Sequence, residues 1–209
     1  MKKNKLLIAL AIAACATTAL ADDEINYSFG LKSWNHKFKQ DSVTDNTSGT
    51  ILSATARKGD CFVTGSALMP TTYTFEAGSN LIRRDTDIAV GYSLNSNVSL
   101  LAGQKRIGVR MYEVDTDSTS NSTISISYLG LNGFTSIGEQ SFLYGTVTRS
   151  FKAKDSSTTE STKFSSYEAG VGYIINKNTQ LTAGYRYQRF SDSSTTTLPG
   201  IIFGVNITP

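Results

Sequence analysis

The sequence predicts an all-β protein, a single up-and-down antiparallel sheet of ten strands closed on itself. Eight strands is the alternative, if the segment from 123 to 151 pairs poorly. Three observations predict it. Apolar and polar side chains alternate with period two along most of the chain. No stretch beyond the first 21 residues carries a helical period. One hairpin motif occurs twice: Gly91–Lys105 returns as Gly172–Arg186, 81 residues on, with the shared pattern GY-x-[LI]-N-x-N-x-x-L-x-A-G-x-[KR].

Each copy reads as a hairpin turning on an Asn-rich tripeptide, Asn95-Ser96-Asn97 and Asn176-Lys177-Asn178. Asn tolerates the left-handed backbone that tight turns use. A three-residue turn in the second copy pairs Ile175 with Thr179 and sets Glu168 opposite Arg186. The first copy, pairing Leu94 with Val98, sets Asp87 opposite Lys105. Both acid–base pairs fall on a polar, glycine-lined face, where opposite charges across strands attract. A one-residue slip would move all four among the apolar side chains. The two pairs are expected to fill and rigidify a narrow interior; lining an ion path is the alternative.

The remaining elements follow in order. Asn26–Phe38 alternates, with Tyr27, Phe29 and Leu31 against Ser28, Gly30 and Lys32. Gln40–Gly49 reads as a polar loop, Thr50–Lys58 as a strand, and Gly59-Asp60 as a tight turn into a strand over Cys61–Met69. Pro70–Leu81 reads as a long connection before the first repeat hairpin, Arg84–Tyr112. Glu113–Ser122 is a polar loop, and strands over Thr123–Leu131 and Ser141–Phe151 flank Asn132-Gly133. Lys152–Lys163 is a Ser/Thr-rich loop before the second repeat hairpin, and Ser191–Thr197 is another. The last strand, Gly200–Thr208, carries Ile201, Phe203, Val205 and Ile207 on one face. Short turns thus alternate with long polar connections, and an even strand number puts both termini with the short turns.

Alternation does not say which face is inside. A soluble barrel is apolar within; a membrane barrel is apolar outside and polar within. Here aromatics bound the apolar face: Tyr27, Tyr92 and Tyr173 toward the short turns, Tyr112, Tyr167 and Tyr187 toward the long connections. That is the arrangement of interfacial girdles. The other face carries Gly30, Gly91, Gly103, Gly170, Gly172 and Gly184 beside charged groups, as suits a narrow lumen. The expectation is a transmembrane β-barrel over residues 22–209, with a secreted soluble barrel as its rival.

Residues 1–21 read as a cleaved signal peptide. Lys2, Lys3 and Lys5 precede an apolar run from Leu6 to Ala14, and Ala19-Leu20-Ala21 is an A-x-A cleavage site. Ile12-Ala13-Ala14-Cys15 resembles a lipobox, so lipidation at Cys15 stays open beside cleavage after Ala21. The chain has 20 Lys+Arg and 17 Asp+Glu. Three of those lysines lie in the leader, so the remainder is about neutral and carries no signature of nucleic-acid binding. Cys61 is the only cysteine outside the leader.

The leader, the paired hairpin motif and the alternating last strand together make the chain resemble the small bacterial outer-membrane β-barrel proteins. The resemblance covers residues 22–209 and implies architecture rather than activity. It implies a place in the outer membrane of a Gram-negative cell envelope. It also implies contact with outer-membrane lipids and lipopolysaccharide and with the barrel-insertion machinery, and a monomeric state. The chain departs from the group at its end: Ile207-Thr208-Pro209 stands where members end on an aromatic, the nearest here being Phe203.

Few residues suggest chemistry. His36 is the only histidine; it reads as a solvated rim residue, and Ser33, Asp41 and Asp85 are conceivable catalytic partners. Glu113, Asp115 and Asp117 read as a solvated charge cluster. Cys61 has no identifiable activating partner. No catalytic, cofactor or metal site is therefore expected. The expected role is a non-enzymatic membrane scaffold presenting polar extracellular loops; the alternatives are a narrow, porin-like channel for ions or small solutes and a barrel-embedded enzyme.

Overall fold

A sheet edge exposes backbone donors and acceptors that a bilayer cannot satisfy, and closing the sheet removes the edge. In the computed structural model, which describes residues 24–41, 43–75, 79–113, 118–155, 162–191 and 194–209, the chain closes in that way. The strands are β1 (Asn26–Gln40), β2 (Val43–Lys58), β3 (Cys61–Thr74), β4 (Asn80–Ser93), β5 (Val98–Glu113), β6 (Ser118–Ser136), β7 (Ser141–Asp155), β8 (Lys163–Asn176), β9 (Thr179–Ser191) and β10 (Thr195–Ile207). Each pairs antiparallel with its sequence neighbours, and β1 pairs with β10 to complete the barrel. The eight-strand alternative fails because β6 and β7 pair along their length, from Ile124 with Asp155 to Ser136 with Phe142. The leader, with Cys15 and Ala21, lies outside the described residues.

The barrel has two storeys. Near the short turns apolar side chains point outward: Phe29, Leu31, Leu100, Leu131, Val171 and Leu181 are all about half exposed. The inward positions there are mostly polar or tiny, apart from the buried rings of Phe62 and Phe142. Toward the opposite end the pattern inverts, without a change of register on β1 and β5 and with irregularities between Leu68 and Thr71 and between Ser127 and Tyr128. On β1, Trp34, His36 and Phe38 are buried inside while Ser33, Asn35 and Lys37 point out. On β5, Ile107 is fully enclosed while Arg106 and Arg110 are exposed. A bilayer explains the lower storey. The upper storey follows the ordinary rule of a water-soluble barrel, apolar within and polar without.

This inversion corrects the expected long loops. The polar segment 40–49 is not a loop: β1 ends at Gln40 and β2 starts at Val43, and Asp45 pairs with Phe38 and Ser48 with Asn35. Asp41 takes the left-handed conformation (φ 51°) that Asp tolerates at a tight turn. The segments 70–81, 113–122, 152–163 and 191–197 are likewise shortened by strands running further than their alternation shows. In the upper storey the outer face carries no apolar stripe, so periodicity fades while the backbone ladder continues.

Two turns also differ. Asn132-Gly133 is internal to β6, where Asn132 pairs with Ser99 and Thr146 and accepts a 2.9 Å hydrogen bond from the Thr146 hydroxyl. The turn lies at 137–140. The second repeat hairpin turns on Lys177-Asn178 alone, with Asn176 paired to Thr179, and a bulge between Ile174 and Asn176 absorbs the difference. Asn176 Oδ1 accepts the Asn178 amide at 2.9 Å, an Asx turn. The bulge leaves Glu168 opposite Arg186, and the first hairpin sets Asp87 opposite Lys105.

The paired backbone over 43–49 makes a checkable difference. Hydrogen exchange of the folded protein should show Thr44–Ser48 protected alongside 50–56. Protease should cut this region slowly relative to the unfolded chain. Exchange there as fast as in an unfolded peptide would mean that the hairpin ends near Thr50.

Candidate functional site

Among the described residues, acids and bases gather in the interior. At its short-turn end glycines make room for aromatic rings. A Cβ at Gly91 would collide with the ring of Phe62, and one at Gly172 with that of Phe142. Behind these rings opens a polar cavity of 410 Å³ whose lining includes Thr64, Thr146, Lys32, Asp87, Glu168 and Arg186.

Two ion-pair networks stand at the inner end of the cavity. In the first, Glu168 lies between two cations. Lys32 Nζ reaches Oε1 at 2.7 Å; Arg186 donates to Oε2 through Nε at 2.8 Å, and its Nη2 lies 2.7 Å from the same oxygen. The second joins Arg83 to Asp85 by two hydrogen bonds of 2.7 and 2.6 Å. Lys105 lies 3.5 Å from Asp85 and 3.2 Å from Asp87, and the Tyr128 hydroxyl donates to Asp87 at 2.6 Å. Arg83 also crosses the lumen to donate to Gln188 on β9 at 2.8 Å. Arg83 and Asp85 are nearly dry, with side chains 5% and 4% exposed, whereas Lys32 and Arg186 keep 20% and 22%.

Above the networks the lumen is filled. Trp34, Tyr73, Ile107, Ile126, Leu198 and Ile202 are each no more than 2% exposed and form one apolar cluster with Phe38, Phe164 and Phe190. Arg186 stacks over Trp34 at 5.5 Å and Arg83 over Phe190 at 5.3 Å, contacts that favour a cation against an aromatic face.

His36 sits in this cluster and not at the rim. It is 4% exposed and stacks on Trp34 at 3.9 Å. Its Nδ1 lies 3.0 Å from the Trp34 carbonyl oxygen and Nε2 lies 2.7 Å from the Tyr73 hydroxyl. A carbonyl only accepts, so Nδ1 carries the proton and Tyr73 donates to Nε2. The rim reading fails because β1 and β2 stay paired up to Gln40 and Val43, so residue 36, on the inward face with 30 and 32, lies inside the barrel and below its edge. Ser33 points outward on the other face of β1, Asp41 is in the turn, and Asp85 is bound to Arg83. Cys61 is buried. Glu113 ends β5, while Asp115 and Asp117 lie outside the described residues. Among the described residues no three His, Cys, Asp or Glu gather as for a metal ion.

The aromatics are placed as follows. Tyr27, Tyr92 and Tyr173 are exposed on the outer face near the short turns. Tyr167 and Tyr187 face each other on β8 and β9 and stack at 4.9 Å. Tyr112 points outward but stands beyond Arg106 and Arg110 on β5, further from the apolar belt.

Sequence reasoning did not single out Lys32, Arg83 or Gln188. Lys32 shares the inward face of β1 with Gly30, which was the available signal. The Arg83–Asp85 pair had a signal in its spacing, since residues i and i+2 of a strand share a face.

The geometry ranks substitutions. Removing one member of a buried pair strands its partner at about 3–5 kcal/mol. Asp85→Ala, which strands the driest cation, should therefore cost about that much. Arg186→Ala should cost less, because Lys32 still neutralises Glu168. Glu168→Ala should be partly rescued by adding Arg186→Ala. Urea unfolding of the refolded barrel reads all four; equal losses from Asp85→Ala and Arg186→Ala would contradict the ranking.

No family model matches the sequence, and no curated protein matches it. Among solved structures the chain is similar to the outer membrane protease OmpT from Escherichia coli, at 12% identity and TM-score 0.54, covering 91% of this chain and 98% of that one. It is similar to the translocator domain of autotransporter NalP from Neisseria meningitidis, at 9% identity and TM-score 0.50, covering 97% and 95%. Neisserial surface protein A is 15% identical with TM-score 0.46, covering 88% and 99%. At such identities the likeness is one of fold. The chain is an all-β, closed, ten-stranded up-and-down barrel with the fold of the bacterial outer-membrane β-barrels.

Proposed function

We propose that this barrel is a non-enzymatic scaffold of the outer membrane, holding polar hairpins in the water beyond the bilayer for contact with other surfaces. The observation that carries the reading is the dry cluster around Trp34, Tyr73, Ile107, Ile126, Leu198 and Ile202. It fills the lumen above the polar cavity and leaves a solute entering at the short turns nowhere to go. The ion pairs below it act as cross-struts between strands. The single histidine is engaged by a backbone carbonyl and a tyrosine, which supports a structural role for it over an enzymatic one.

The channel reading has the polar cavity in its favour, so conductance decides. Refolded protein in planar bilayers should give no unitary current steps. Regular, voltage-independent openings would replace the scaffold with a channel. Membrane placement is tested apart from this, by fractionation of the folded protein and by a heat-dependent shift in gel migration.

A further inference from the structure

The outer surface of the strands is electrically one-sided. Among the strand residues whose side chains are described, no Asp or Glu stands on the outward face. The carboxylates Asp85, Asp87 and Glu168 all point into the lumen. Most outward cations lie in the upper storey, and two groups of them stand out.

The first group is a triad. Arg84 on β4 pairs with Gly108 on β5, so its neighbours along β5 on the same face are Arg106 and Arg110. Each lies on a diagonal from Arg84, a spacing of about 7–8 Å between backbones. Gly108 leaves the gap between them open: a Cβ there would meet Arg84 Nε at 3.1 Å and Cγ at 3.3 Å. The Arg84 side chain thus lies across β5 toward the space between the other two. All three are exposed, and none forms an ion pair among the described residues. Their lateral neighbours are hydroxyl-bearing: Thr86 and Ser125 flank Arg106, and Thr123 adjoins Gly108. A recess of 330 Å³ opens on the belt side, lined by Ile88, Gln104, Arg106 and Ser125 among others. The second group is a row around the barrel, in which Arg149, Ser165, Arg189, Thr197 and Lys39 are successive partners on β7, β8, β9, β10 and β1.

Three guanidinium groups held together without a counter-charge repel one another unless an anion joins them. Height identifies the anion. A transmembrane strand needs about 9–11 residues. Counted from the girdle residue Tyr92, Arg84 is the ninth; from Val98, Arg106 is the ninth; from Ser141, Arg149 is the ninth. These cations therefore stand where the hydrocarbon ends on the far side from the short turns. An outward Arg is costly at the bilayer midplane but nearly free at that level.

We infer that Arg84, Arg106 and Arg110 form a site for the phosphate group of a lipid headgroup in the leaflet at the upper-storey end, with the Arg149–Arg189–Lys39 row as a weaker continuation. Guanidinium forks match phosphate oxygens. The neighbouring hydroxyls donate further, and the recess beneath takes the part of the lipid next to the phosphate. The inference rests on the membrane placement proposed above and adds the lipid class and the residues that hold it.

The test uses the full barrel, refolded in a neutral detergent, and titrates it with a bis-phosphorylated glycolipid such as lipid A and with the same lipid after enzymatic dephosphorylation. Binding is read by native mass spectrometry. The phosphorylated lipid should bind the wild type, and the triple variant R84Q/R106Q/R110Q should bind it about a hundredfold more weakly. Gly108→Leu keeps every charge but blocks the seat of Arg84, and it should lose about tenfold. Equal affinity for both lipids, or a triple variant that binds like wild type, overturns the inference. Loss in the triple variant with none in Gly108→Leu overturns the triad geometry. Full displacement by millimolar inorganic phosphate overturns the lipid assignment in favour of a free anion. A barrel that folds and inserts into zwitterionic vesicles yet shows no lipid preference sinks this site and leaves the membrane placement standing.

Discussion

A closed sheet has an inside that must be filled, and the filling decides what this barrel is. Ten tilted strands enclose room for side chains and little more. Water could occupy that room, or apolar groups could exclude it, or charges could occupy it in pairs. Three regions follow one another along the axis: an open polar cavity, a belt of ion pairs, and a dry cluster around Trp34 and Tyr73. The ion belt is where the three meet. A dry wall beside Arg83 and Asp85 removes the solvent screening that weakens surface pairs, and it makes their mutual satisfaction obligatory. Through Gln188 and through the Lys32–Glu168–Arg186 group the belt ties β4, β9, β8 and β1 across the lumen.

Because the interior is apolar at one end only, each long strand obeys two opposite rules. Below, apolar residues face out, as the rule for a lipid surround requires. Above, apolar residues face in, as the rule for a water surround requires. The register does not slip between them on β1: residues 26, 34 and 40 pair with 57, 49 and 43. What changes is which parity carries the apolar side chains, between Leu31 and Trp34. The two rival readings of the sequence, membrane barrel and soluble barrel, each describe one storey.

The lower storey was legible for that reason. Alternation, glycines on the inner face and the repeated hairpin locate Asp87 opposite Lys105 and Glu168 opposite Arg186, and those partners stand opposite each other in the sheet. The upper storey was not. Residues 43–49 hold no large apolar side chain but Val43, so they look like a loop, yet backbone pairing with β1 carries them, with Thr47 and Asp45 bonded to the β3 backbone. His36 was misplaced because the strand runs on past it: it keeps the inward parity of Gly30 and Lys32, and the barrel wall continues to Gln40, so it lies in the filled lumen and not at a rim. The partners Arg83 and Gln188 meet across 105 residues of chain and the width of the lumen, a distance that no local pattern encodes.

The filled lumen and the segregation of charge belong to one argument. If the interior neither conducts nor carries a catalytic arrangement, the chemistry available to partners is on the outer surface. There the described strands show cations without carboxylates. Acids turned inward cannot neutralise them, because each is held by lumen cations: Asp85 by Arg83 and Lys105, Glu168 by Lys32 and Arg186. Pairing the acids inside thus does two things at once. It makes a narrow, water-poor lumen tolerable, and it leaves Arg84, Arg106 and Arg110 without an ion-pair partner among the described residues. A surface so made attracts whatever anion lies at that height, and in a bilayer that height is the headgroup layer.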